Sequence, residues 1–127
     1  MPGRMIRTDA APAAIGPYSQ GMVAGSLLFT AMQIGLDADT GELVGRTAAE
    51  QIRRCLQNIG AIVIAAGGSM SDIVKTAIYL TDITEYGAVN EVYGEFFQAQ
   101  LPARGVLAVS ALPKGALVAV EAIASLA

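Results

Sequence analysis

Arg104 and Glu121 are the residues through which this sequence could do chemistry. Each is a lone charge in an apolar stretch: residues 104–109 read RGVLAV and residues 117–124 read LVAVEAIA. Short apolar runs bounded by Pro and Gly describe strands covered on both faces. A charge in such a strand is costly unless it is paired or hydrogen-bonded. One reading is structural, with the two charges forming an ion pair or reaching water at an edge. The other is chemical. An arginine fork grips a carboxylate through two parallel hydrogen bonds, and a carboxyl group in an apolar site can exchange protons with water or substrate near neutral pH. With a tyrosine alongside, these groups suit hydrolysis of a small anionic substrate without a metal.

Other chemistries lack their parts. The chain has no His to activate a Ser or its single Cys, and no Gly-rich phosphate loop with an adjoining Lys. No zinc or transition-metal cluster can be assembled from these residue types. Cys55 has no partner for an internal disulfide and falls on a predicted helix face, so it reads as a small buried hydrophobe. Residues 37–42, DADTGE, lack the flanking helices and full ligand set of a calcium loop and read as a solvated turn. The net charge of −3 gives no basic footprint for tight nucleic-acid binding.

Arg4, Arg7 and Asp9 interrupt any signal-peptide core, and residues 61–66, the longest apolar run, are too short to cross a bilayer. The expectation is a cytoplasmic protein. A length of 127 residues suits one domain over 1–127. Hydrophobic residues make up 54% of the chain and charged residues 15%, against a usual charged share of about 25%. So small a domain cannot hide that much apolar side chain by itself, which predicts cover by other subunits.

The elements that must position Arg104 and Glu121 follow from periodicity. Residues 5–8 read as a short strand, residues 10–17 as a Pro- and Ala-rich loop leading to Tyr18, and residues 19–24 and 27–31 as strands about a Gly25-Ser26 turn. Thr47 and Glu50 form a capping box. The helix it opens places Ala48, Ile52, Cys55, Leu56, Ile59, Ile62, Val63 and Ala66 on one apolar face, and Gly67-Gly68 ends it. Glu50, Arg53, Arg54, Gln57 and Asn58 should form its wet face. Residues 73–80 predict a strand. Residues 85–100 predict a second helix with Tyr86, Val89, Tyr93, Phe96 and Phe97 inward and Asn90 on the flank. The two apolar stretches then give two strands joined by a connection at residues 112–115. Two helices cover only one face of such a sheet, so the other face needs a partner.

Four strings, in order, resemble the signatures of the reactive intermediate deaminase family (RidA, also YjgF or L-PSP). They are residues 10–21 (AAPAAIGPYSQG), 71–76 (SDIVKT), 89–93 (VNEVY), and a closing set of Pro102-Ala103-Arg104, Leu112-Pro113 and residues 120–124 (VEAIA). Together they span essentially the whole chain. The resemblance implies a chorismate-mutase-like α+β fold: a mixed β-sheet with two helices packed on one face, assembled as a homotrimer with clefts between subunits. It also implies cofactor-independent hydrolysis of reactive enamine and imine acids, such as 2-aminoacrylate, to 2-keto acids and ammonia.

Carried over by position, Arg104 would clamp the substrate carboxylate, Glu121 would hold and activate the attacking water, and Tyr18 of the facing subunit would close over the ligand. Backbone groups near Val106 would add contacts, and Asn90 would line the pocket. The chain has Ala31-Met32-Gln33 where the family has Ser-Gly-Gln, and Val106 where it has Cys. Met32 therefore puts a flexible thioether where the family has a hydrogen atom, which implies a pocket of different shape. Val106 removes thiol chemistry. Two other activities fit the same family: a non-catalytic module that holds a keto acid through Arg104, and an endoribonuclease or translation inhibitor. Acidic charge and the absence of His weigh against the last.

Overall fold

The computed structural model describes residues 3–126. Its longest helix, α1 (Ala48–Ala65), begins where the capping box predicts. Thr47 Oγ1 accepts from the Glu50 amide, and Glu50 Oε1 accepts from the Thr47 amide, each at 3.1 Å. Its predicted apolar face is buried throughout. The helix stops because Gly67 adopts φ 97°, a left-handed conformation that glycine enters without steric cost.

The wet face differs from expectation at Asn58 and Arg53, and Arg54 is only half-exposed. Asn58 is buried and donates to the carbonyls of Ile34 and Leu36, at 3.4 and 3.0 Å. Arg53 is not simply solvated, since it makes a two-pronged ion pair with Glu95 of the second helix, at 2.9 and 3.2 Å. Period-3.6 reasoning places a residue on a helix face but does not show which loop lies over that face.

The strands are β1 (Arg4–Ile6), β2 (Gly21–Ala24), β3 (Leu27–Thr30), β4 (Gln33–Ile34), β5 (Ile73–Leu80), β6 (Ala103–Ala108) and β7 (Val118–Ser125), and the second helix is α2 (Tyr86–Phe96). They form a mixed sheet in the order β1-β2-β3-β7-β5-β6, with β4 also paired to β7. Only β5 and β6 run parallel, and α2 is the crossover that a parallel pair requires. Both helices pack on one face, giving the α+β arrangement. Leu28, Ile78, Leu80, Val120 and Ala124 point into the core against α1.

β6 and β7 are both strands, as expected, and β5 lies between them. Several other expectations need correction. β6 is an edge strand, half-exposed rather than covered on both faces. Its apolar composition is the same as that of a central strand, so composition alone could not place it. β4 is a two-residue strand too short to show a period. The second helix is shorter than predicted and is preceded by a 3-10 turn at Ile83–Glu85. Tyr86 is exposed rather than inward. The sheet face away from the helices carries exposed apolar side chains, among them Met5 at 70%, Leu107 at 51% and Phe29 at 42%.

Candidate active site

The sheet register decides how the candidate residues meet. Arg104 pairs across the strands with Thr76, and Glu121 pairs with Ala77. Cross-strand partners share a face and successive residues alternate, so Arg104 and Glu121 lie on opposite faces of the sheet.

Arg104 points toward the helices. Its Nη1 donates to Asn90 Oδ1 at 2.7 Å and its Nη2 donates to the Tyr86 hydroxyl. The guanidinium carbon sits 4.8 Å from the Tyr93 ring centre and 5.5 Å from that of Tyr86. Tyr86, Asn90 and Tyr93 follow i, i+4, i+7 spacing on α2, which lines them along one side of the helix over β6. Tyr93 is anchored below by a buried 2.7 Å hydrogen bond shared with Thr76. Burial pushes the Tyr93 phenol pKa up, against the opposing effects of Thr76 and Arg104. Val106, two residues along β6 from Arg104, is on the same face and packs on the edge of the core.

Among the described residues no carboxylate pairs with Arg104. The ion pairs among the described residues are Arg7–Asp9 and Arg53–Glu95. The structural ion-pair reading of Arg104 and Glu121 is therefore overturned. The guanidinium is held by neutral oxygens and aromatic faces, which fix its plane and leave its charge uncompensated.

Glu121 is on the other face, where its Oε1 accepts from the Tyr79 hydroxyl at 2.6 Å. That hydrogen bond is the main reason the Tyr79 pKa is raised, ahead of burial. Opposite Glu121 the sheet is irregular. Phe29 pairs with Ile123 and Gln33 with Val120, so the three residues 30–32 stand against the two residues 121 and 122. This one-residue bulge re-aims Ala31 and Met32. Thr30 Oγ1 stabilises it by accepting from the Ala122 amide at 3.0 Å.

A cavity of about 640 Å³ opens beside the bulge, lined by Tyr18, Ala31, Met32, Ile15, Ile34 and Lys114 among others. The loop carrying Tyr18 is tied down by buried Gln20. Gln20 Oε1 accepts from the Thr8 amide at 2.7 Å, and its Nε2 donates to the carbonyls of Thr8, Ala11 and Pro12.

The structure thus gathers the sequence candidates into two groups. Arg104, Asn90 and Val106 form one, at the β6 edge under α2. Tyr18, Ala31 and Met32 form the other, with Glu121 across the bulge. Sequence reasoning missed Tyr79, Tyr86, Tyr93 and Gln20 as parts of these groups. The strand alternation of β5 put Tyr79 on a definite face, but only the register with β7 brings it to Glu121.

Among the described residues no three His, Cys, Asp or Glu side chains gather as metal ligands, and no helix is long and apolar enough to cross a membrane.

A family model described as Endoribonuclease L-PSP matches residues 8–126. A RutC family protein of Pyrococcus horikoshii is 48% identical, over 94% of this chain and 95% of its own. A 2-iminobutanoate/2-iminopropanoate deaminase of Rattus norvegicus is 45% identical, over 95% of this chain and 88% of its own. Among solved structures, E. coli TdcF with bound serine has a TM-score of 0.92 and 43% identity, covering 96% of this chain and 98% of that one.

Proposed function

The chain belongs to the L-PSP family, the RidA/YjgF proteins, and from that premise we propose that it is an enamine/imine deaminase, hydrolysing 2-aminoacrylate-like imino acids to 2-keto acids and ammonia. The observation that carries the reading at the level of residues is Arg104. Its fork is oriented by Asn90 and Tyr86, both neutral, so it retains a full charge for a substrate carboxylate.

The chemistry asks little more than placement. 2-Aminoacrylate takes a proton at C3 and becomes the iminium. Water adds to C2 and gives up a proton, which passes to the amine nitrogen of the carbinolamine; the C–N bond then breaks with its electrons going to nitrogen, the hydroxyl proton returns to solvent as the carbonyl forms, and ammonia leaves a keto acid. We assign Glu121 to hold the water and remove its proton during addition. Tyr18 closes over the ligand, backbone groups at Val106 contact it, and Ala31 and Met32 line the space for its side chain. Asn90 acts on the ligand through the fork it orients. Because the imine is already unstable in water, positioning and modest proton transfer give useful acceleration.

A site that uses both Arg104 and Glu121 has to draw them from two copies, because one copy keeps them on opposite faces of its sheet. The exposed apolar face offers the surface for that association, and a homotrimer, with Tyr18 supplied by the facing subunit, is the assembly we infer from the family resemblance.

The test is keto-acid release from 2-aminoacrylate generated in the cuvette by a pyridoxal-phosphate lyase. Acceleration over the spontaneous rate that disappears in Arg104→Ala, with assembly unchanged, is the expected result. No acceleration by the intact protein across several imino acids would refute the deaminase and leave Arg104 as a carboxylate-binding group.

A further inference from the structure

We propose that Tyr79 is a positioning residue for Glu121, fixing one carboxylate oxygen so that the other, Oε2, receives the proton of the attacking water. The inference rests on the reading of Glu121 as the base, and it adds a residue that neither the motifs nor the relatives' names bring forward.

The register makes the contact possible. Tyr79 pairs with Ala119 and Glu121 pairs with Ala77, so the two side chains are diagonal neighbours on the same face of β5 and β7. Diagonal neighbours are within reach of aromatic and long side chains. The separation of 2.6 Å falls in the short range of a hydroxyl donating to an ionised carboxylate. It is the side-chain hydrogen bond that Glu121 makes among the described residues, and it uses Oε1 alone.

A free glutamate turns about three side-chain bonds, and a base that turns is out of place for much of the time. The phenol rotates about only two and sits on a strand paired on both sides, with Leu107 of β6 and Ala119 of β7 as its cross-strand partners. Its hydroxyl therefore holds Oε1 of the carboxylate toward β5, on the side of β7 opposite residues 30–32, and leaves Oε2 without a side-chain partner among the described residues. The phenol pKa is raised, first by this hydrogen bond to Glu121 and then by burial. A phenylalanine would fill the same space on the sheet. What the hydroxyl adds is this one hydrogen bond.

The experiment compares wild type, Tyr79→Phe, Glu121→Gln and the double variant in the 2-aminoacrylate assay, with a spectroscopic titration of the tyrosines in the same proteins. Tyr79→Phe is expected to lower kcat roughly 10- to 100-fold, the usual scale for a misplaced catalytic group, with KM unchanged because Arg104 holds the carboxylate. Glu121→Gln should lower kcat by about 10²- to 10⁴-fold. The double variant should be no slower than Glu121→Gln, since Tyr79 acts only through Glu121. In the titration, the phenolate step missing from Tyr79→Phe should lie above that of an ordinary tyrosine and move down in Glu121→Gln.

Full kcat in Tyr79→Phe beside an inactive Glu121→Gln would overturn the positioning role and spare the deaminase. A double variant slower than Glu121→Gln by the full Tyr79 factor would also overturn it, as would a phenolate step that Glu121→Gln leaves in place. Full turnover in Glu121→Gln, or none in the intact protein, would bring down the underlying reading and this inference together.

Discussion

The hydrogen bond between Thr76 and Tyr93 joins α2 to the sheet directly beneath the Arg104 guanidinium, and its removal can be worked through in numbers. Both residues are almost wholly buried, Thr76 at 0% and Tyr93 at 5% exposed, and their hydroxyls lie 2.7 Å apart. Tyr93→Phe keeps the ring and its packing with Phe97 but strands the Thr76 hydroxyl in the core. Leaving a buried polar group without a partner costs about 1–3 kcal/mol. At about 2.1 cal/mol/K of unfolding entropy per residue, a chain of this length has roughly 0.27 kcal/mol/K, so a loss of about 2 kcal/mol lowers Tm by about 7 °C. Thr76→Val in addition removes the stranded hydroxyl and restores an apolar contact of the same shape, so the double variant should recover most of that loss. The assay is thermal unfolding of wild type, both single variants and the double variant at one fixed protein concentration, because the proposed homotrimer would make Tm depend on concentration. Additive losses in the double variant would refute the argument, and so would a Tyr93→Phe loss below about 0.5 kcal/mol, the scale of an ordinary surface change.

Cys55 is buried and desolvation pushes its thiol up to about 12, so a thiol reagent should label the protein only after it unfolds. Because the folded pKa lies above the ordinary value of 9.0, the stability it contributes is complete below pH 9 and is lost as pH rises toward 12, a loss that Cys55→Ala should lack in alkaline unfolding curves. Arg104→Lys keeps the charge and loses the fork, so kcat/KM should fall about 10- to 100-fold, the scale of one lost charge-assisted hydrogen bond, with the oligomer intact by size-exclusion chromatography. Phe29→Glu places a charge on the exposed apolar face of the sheet; it should dissociate the proposed homotrimer, seen by sedimentation, and leave the fold of each copy unchanged by circular dichroism.

The sequence was most legible where one local rule acts alone. The Thr47–Glu50 box, the apolar stripe of α1 and the Gly67 stop are contained within about twenty residues and came through intact. The strands were legible as strands, because their apolar runs and turns are local too. Their order was not: residues 103–108 and 118–125 look alike in composition, yet one became an edge and the other a centre because α2 carries the chain across β5. The site divides in the same way. Arg104 and Glu121 were visible as charges in apolar text, whereas their placement on opposite faces depends on a register that sequence spacing does not encode. Asn58, Gln20 and Tyr79 are polar residues whose partners lie at least 8 positions away, and no local pattern marks them.

The separation of Arg104 and Glu121 across the sheet has a genetic consequence if, as proposed, each site takes one from each of two copies. Two chains that are each inactive, one lacking the arginine and the other lacking the glutamate, would complement when they assemble together. In an equal, random mixture roughly one site in four would receive both intact groups from neighbouring subunits. Two different lesions in one gene would then partly rescue each other, whereas two copies of the same lesion would not.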